Sequence, residues 1–205
     1  MKNLILILLF PSICLAKTRI AVIDTGLSKL EGIELCNPVI DLTDTAPDSF
    51  PQHGDNITHI IADGLTNYCI IPIKIWDTET TDNYIPEAIY LSIRLGADII
   101  NISGGGSDYS LKESGAVRYA DFKHIIIVAA AGNAGINLDK ECFYFPGCYP
   151  TVVLVGNIHP TSNYGTLVDV FMKGVDINSG GVTMTGSSQA TAMFTHELAK
   201  RMVMK

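Results

Sequence analysis

Four short segments carry side chains that could do chemistry together. In Ile23-Asp24-Thr25-Gly26 an apolar run from Ile20 ends in a carboxylate and a turn pair. A carboxylate there could orient an imidazole, or simply bond the backbone of its own turn. In Gln52-His53-Gly54-Asp55-Asn56 a histidine precedes Ile57, Ile60 and Ile61, whose spacing predicts a helix. At a helix start the dipole favours the neutral ring, and a carboxylate on one ring nitrogen would leave the other to accept a proton. An ordinary surface histidine fits as well. In Thr185-Gly186-Ser187-Ser188-Gln189 a glycine turn leads into a predicted helix. A hydroxyl on Ser188 would be backed by helix N–H groups that can also hold an oxyanion, although a serine in that place is also an ordinary helix cap. In Ala129-Ala130-Ala131-Gly132-Asn133-Ala134-Gly135 an amide follows the apolar run Ile125 to Val128. Asn133 could donate to a developing oxyanion or make a plain turn.

These residues need elements to hold them. From Thr18 onward, apolar runs alternate with helical patterns, which predicts an α/β fold: a mostly parallel sheet with helices on both faces, in three layers. Predicted strands are 19–23, 68–75, 98–102, 125–130 and 151–155, each nearly continuous in apolar residues, as strands buried on both faces are. Predicted helices run from Pro86 to Leu95, stopped by Gly96, and from Ser188 to Met202. In such a sheet ligands bind beyond the carboxyl ends of the strands, where Asp24 and Asn133 fall.

The chain has 205 residues, 47% hydrophobic and 17% charged, which fits one globular domain with a sizeable core. A formal net charge of -7 gives no electrostatic footprint for nucleic acid or an anionic membrane surface. The first residues, with Lys2, an apolar run Leu4 to Phe10 and Ala16 before Lys17, have the form of a secretory signal peptide over 1–16, leaving 17–205 as the domain. Localisation is then secreted or periplasmic. Cleavage after Ala16 leaves Cys36, Cys69, Cys142 and Cys148 in a compartment that permits disulfides. Three pairings are open, and the short Cys142–Cys148 loop favours pairing those two and Cys36 with Cys69.

Taken in order, Asp24, His53, Asn133 and Ser188 closely resemble the subtilisin-like serine peptidase family. There an aspartate follows the first strand as Asp-Thr/Ser-Gly, a His-Gly opens a helix, Ala-Ala-Gly-Asn ends a strand and the serine sits in Gly-Thr-Ser-x-Ala. The likeness extends through Ala97-Asp98-Ile99-Ile100-Asn101-Ile102-Ser103-Gly104-Gly105-Gly106 and Tyr149 to Gly156, so it runs from Arg19 to the C-terminus. It implies a triad of Asp24, His53 and Ser188, an oxyanion hole completed by Asn133, and a mechanism that needs no cofactor. It also implies that a substrate strand pairs along Ser103, Gly104 and Gly105. The second wall of the primary pocket would be Ala130, Ala131 and Gly132.

Several positions depart from the family pattern. Ser187, Gln189 and Ala192 stand where threonine, methionine and proline are common, and Asp55-Asn56 replaces Thr-His after the catalytic His-Gly. Gly104 replaces a larger apolar residue of the outer cleft. Lys17 leads directly into the first strand, so no propeptide is expected; either the shortened domain folds readily by itself, or a separate folding partner or inhibitor takes the propeptide's place. Asp41, Asp44 and Asp48 are too loosely spaced for a strong calcium site. Asn56-Ile57-Thr58 and Asn101-Ile102-Ser103 match the glycosylation pattern, but glycans there would obstruct the site.

Three other readings compete with an acting peptidase. A silent module of the same fold would only hold peptides. An aspartic peptidase acting through Asp24 needs a second such motif, and none is present. Nucleotide binding by Ser103 to Ser107 lacks a phosphate-loop lysine. The expected partner is a protein or peptide substrate, with neither nucleic acid nor membrane.

Overall fold

Parallel strands covered by helices on both faces must be apolar on both, and the Ile-rich runs meet that demand. In the computed structural model, which describes residues 16–43, 52–76 and 83–203, these runs form the middle of a seven-stranded sheet. The elements, in chain order, are β1 (Thr18–Thr25), β2 (Ile40–Asp41), α1 (His53–Ala62), β3 (Tyr68–Trp76), α2 (Ile85–Arg94), β4 (Ile99–Ile102), α3 (Leu111–Phe122), β5 (Ile126–Ala130), β6 (Val152–Asn157), β7 (Val170–Met172), β8 (Ile177–Ser179), β9 (Val182–Met184) and α4 (Ser187–Val203). Strand order is β2-β3-β1-β4-β5-β6-β7, and every pair is parallel. The hairpin β8–β9 forms a separate antiparallel pair. The predicted signal segment lies outside the described residues except for Ala16.

Alternate residues of each strand enter different cores. Ala21, Ile23, Ile71, Ile73, Ile100 and Ile102 pack with Ala88 and Ile89 of α2 and Ala116 and Val117 of α3. Ile20, Val22, Ile70 and Ile99 pack with Ile57 and Ile61 of α1 and Ala190 and Ala199 of α4. Each fully buried isoleucine stabilises the fold by about 1.5–3 kcal/mol relative to exposure. A one-residue slip would exchange the two sets.

The predicted strands and helices are present, with ends shifted by a few residues. One shift matters chemically: β1 continues through Thr25, so Asp24 lies within the strand rather than after it. The structure adds β2, α3, β7 and the β8–β9 hairpin. It pairs Cys36 with Cys69 and Cys142 with Cys148, at Cα separations of 5.1 and 5.6 Å, as preferred from sequence. No helix among the described residues is long and apolar enough to cross a membrane.

The order of the strands also locates a crevice. From β1 the chain builds outward through β3 on one side, then returns to add β4 on the other. At such a reversal the loops leaving neighbouring strands diverge and open a site at their carboxyl ends. Ile23 of β1 registers with Ile102 of β4, so Asp24 and Ser103 follow side by side.

Candidate active site

Asp24 is fully buried. Its Oδ1 accepts hydrogen bonds from the Thr25 N–H at 2.7 Å and lies 2.6 Å from His53 Nδ1. Its Oδ2 has no partner among the described residues, so the imidazole is the principal countercharge available to this carboxylate. The approach depends on Gly54: a Cβ there would overlap the Thr25 carbonyl. With only hydrogen in that place, α1 seats its first turn on the end of β1 and brings His53 against Asp24.

Asp55 ties down the same junction, accepting from the Ser28 and Lys29 N–H groups at 2.8 Å each. Asp24 raises the pKa of His53 through its charge, and burial opposes that shift without cancelling it. This differs from the sequence expectation that the helix start would keep the ring neutral. A full charge at hydrogen-bond distance outweighs a partial helix charge.

Ser188 is the second residue of α4 and 9% exposed. Its hydroxyl donates to the Ser103 carbonyl at 2.8 Å, and Ser103 Oγ donates back to the Ser188 carbonyl at 3.3 Å. Behind them a buried chain runs from Thr195, which donates to Asn101 Oδ1, to Asn101 Nδ2, which donates to Ser103 Oγ, at 2.9 Å each. Asp24, His53 and Ser103 line one cleft of about 420 Å³. Ser188 meets that cleft through Ser103.

Asn133 is exposed. Its Oδ1 accepts from the Ser187 N–H at 2.8 Å, which orients the amide and leaves Nδ2 as its donor group. Ser187 holds the loop a second time, its Oγ accepting from the Gly132 N–H at 3.1 Å.

The other expected site residues take varied roles. Ser103, Gly104 and Gly105 line the cleft, with Trp76 beneath Gly104 where a Cβ would collide with the indole. Ala130 and Ala131 are about fully buried, and Ala131 packs on Leu138 and Leu154, so they offer backbone rather than side chain to a wall. Gly132 faces the Tyr144 ring, which also lies beside Gly105. Tyr144 therefore stands between the two walls, and sequence reasoning missed it. It missed Asn163 too, whose Nδ2 donates to the Ala131 carbonyl at 2.7 Å while Oδ1 accepts from Ala134 and Ile136 at 3.1 Å each, holding the loop that carries Asn133. Neither residue sits in a local pattern that could have signalled it.

Asn56 and Asn101 are fully buried and hydrogen-bonded, which agrees with reading their glycosylation matches as chance. Asp41 is engaged by Lys74 Nζ at 2.9 Å, while Asp44 and Asp48 lie outside the described residues. No group of three or more His, Cys, Asp or Glu placed to hold a metal ion occurs among the described residues.

Known proteins share both the sequence and the fold. The subtilase family profile matches residues 16–202. A thermophilic serine proteinase of Bacillus sp. (strain AK1) is 33% identical over 194 residues, covering 84% of this chain and 47% of the relative. Thermitase of Thermoactinomyces vulgaris is 30% identical over 207 residues, covering 88% of this chain and 72% of thermitase. The chain thus spans about half the length of the first relative. Among solved structures, a lanthipeptide protease superposes with a TM-score of 0.76 at 21% identity, covering 89% of this chain and 72% of the other. A cold-adapted subtilisin-like serine proteinase gives 0.74 at 22% identity, covering 93% and 77%. At those identities the structures speak for the fold, while the sequence profile extends over nearly the whole chain, and on that ground the chain belongs to the subtilase family.

Proposed function

We propose that this chain is an exported serine endopeptidase that cleaves peptide bonds through an acyl-enzyme. Ser188 Oγ attacks the substrate carbonyl carbon while His53 Nε2 takes its proton. Asp24 holds the ring by Nδ1 and balances the imidazolium that forms. Asn133 Nδ2 and the Ser188 N–H, unpartnered within the first turn of a helix, hold the tetrahedral oxyanion. His53 then passes its proton to the leaving amine, and water repeats the sequence on the ester. No cofactor enters. With the Tyr144 ring between Gly105 and Gly132, the acyl side of the scissile bond takes a small side chain.

The observation that carries this reading is the 2.6 Å pair of Asp24 and His53, in the cleft that Ser188 reaches through Ser103. Before attack, the Ser188 hydroxyl turns from the Ser103 carbonyl toward His53. The signal-like N-terminus and two disulfides support export. The test is hydrolysis of a quenched-fluorescent peptide library, with new termini identified by mass spectrometry. The wild type should cut, and Ser188→Ala and His53→Ala should not; a folded wild type that cuts nothing contradicts the reading.

One observation favours a second reading, a silent peptide-binding module: the Ser188 hydroxyl donates to a backbone carbonyl, a state in which it is not activated. Binding of library peptides by a wild type that never cuts them would establish that alternative.

A further inference from the structure

Beside the catalytic cleft opens a second cavity of about 380 Å³, and the two share Trp76 and Gly105 in their walls. Its apolar side is Trp76, Ile85 and Phe145, and its polar side includes Asn83, Asp108 and Glu113, with two carboxylates and no cation among its lining residues. Glu113 is 1% exposed. Its Oε2 accepts from Asn83 Nδ2 at 2.9 Å, and its buried Oε1 has no hydrogen-bond partner among the described residues.

The helix does not account for that oxygen. Ser110-Leu111-Lys112-Glu113 has the form of a capping box, in which the glutamate carboxylate would accept from the backbone N–H of the capping serine. Half of the box forms, with the Glu113 N–H donating to Ser110 Oγ at 3.3 Å. The other half does not: the Ser110 N–H donates to Tyr149 Oη at 3.3 Å, and the Tyr149 hydroxyl donates to the Ser110 carbonyl at 3.0 Å. The carboxylate is left turned to the cavity, where burial raises its pKa and the hydrogen bond from Asn83 opposes that rise without cancelling it.

We infer that this cavity is an outer substrate subsite for a basic side chain, lysine or arginine, with Glu113 Oε1 as its counter-ion. The inference rests on the cleft being a peptide site. A basic residue fits every wall: its alkyl stem lies on Trp76 and Phe145, its cationic head meets Glu113, and Asp108 adds negative charge at the exposed side. A neutral polar residue would satisfy the oxygen without using the charge, and an acidic one would oppose it.

The test reads binding apart from catalysis. The full chain carrying Ser188→Ala is immobilised and offered a mixture-based peptide library, and retained peptides are sequenced by mass spectrometry. Lysine and arginine should be enriched about tenfold over norleucine at one fixed position, the ratio of a single well-placed charge contact. Glu113→Gln in the same background keeps an acceptor for Asn83 and should lose that enrichment while still retaining peptides. Ser107→Lys, an exposed change at the cavity wall, should lose it as well and serves if the first variant does not fold. Equal retention of lysine and norleucine, retention of nothing, or a preference that survives Glu113→Gln overturns the inference. Hydrolysis of the same library by the wild type reports separately: lysine-selective binding without cutting sinks only the peptidase reading, and cutting indifferent to lysine sinks only this one.

Discussion

The two helix layers cover one sheet with different chemistry. Between α2 and α3 the buried residues are Ile85, Ala88, Ile89, Ala116, Val117 and Ala120, with Ser92 bonded back to its own helix and Glu113 at the edge. Between α1 and α4 the sheet is met by Ile57, Ile61, Ala190 and Ala199, and beside them Asn56, Thr58, Ser187, Gln189, Thr191 and Thr195 are buried as well. Gln189 Nε2 donates to Asn56 Oδ1 at 3.1 Å, and Asn56 Nδ2 donates to the carbonyls of Ser179 and Val182 at 2.8 and 3.2 Å. That cluster joins the residue after the serine to the helix that opens with the histidine, and to the β8–β9 hairpin. Directional bonds with buried partners add a fixed orientation to what close apolar packing already holds in place. The layer that carries the proposed reacting groups is the one that adds such bonds to its apolar packing.

The contrast can be tested in order of expected effect. Asn133→Ala removes the proposed oxyanion donor and should lower kcat by about 10²–10³-fold with KM little changed, as steady-state kinetics would read. Gly54→Ala drives a methyl into the Thr25 carbonyl and moves α1 off β1, so kcat should fall by about 10²-fold even though no reacting group is lost. Asn56→Leu leaves the Gln189 amide and two hairpin carbonyls without their partner, a loss of about 1–3 kcal/mol in denaturant unfolding together with a lower kcat. Ala88→Gly, in the apolar layer, should cost about 1–2 kcal/mol and leave kcat as it was. If Ala88→Gly slows turnover as much as Asn56→Leu does, the two layers are not distinct in function.

Much of the candidate site was legible because each residue of the proposed triad sits in its own short pattern. Asp24 ends an apolar run, His53 needs Gly54 behind it, and Ser188 follows a glycine turn, so local sequence carried the message. Tyr144, Asn163 and the Asn56–Gln189 bond were not legible: each acts across long stretches of chain, and nothing near Tyr144 says that it will stand between Gly105 and Gly132. The α3 helix escaped notice because it buries only Ala116, Val117, Ala120 and Glu113, too small and too polar a stripe to set a helical period. The β8–β9 hairpin did leave a signal, Gly180-Gly181 between Ile177 and Val182, of the kind that marks a tight turn between strands.

The raised pKa of His53 has two consequences of defined sign. The Asp24–His53 pair lends the fold stability that is fully present below about pH 6.5 and is lost as pH rises through the folded value. Activation of Ser188 runs the other way, because only the neutral ring accepts a proton. The most direct test of an activated serine is therefore the rate of fluorophosphonate labelling against pH, with the adduct located by mass spectrometry. The account predicts an adduct on Ser188, absent in His53→Ala, whose rate climbs with a midpoint above about 6.5. A folded chain that takes no label, or takes it on Ser188 equally well without His53, would contradict it.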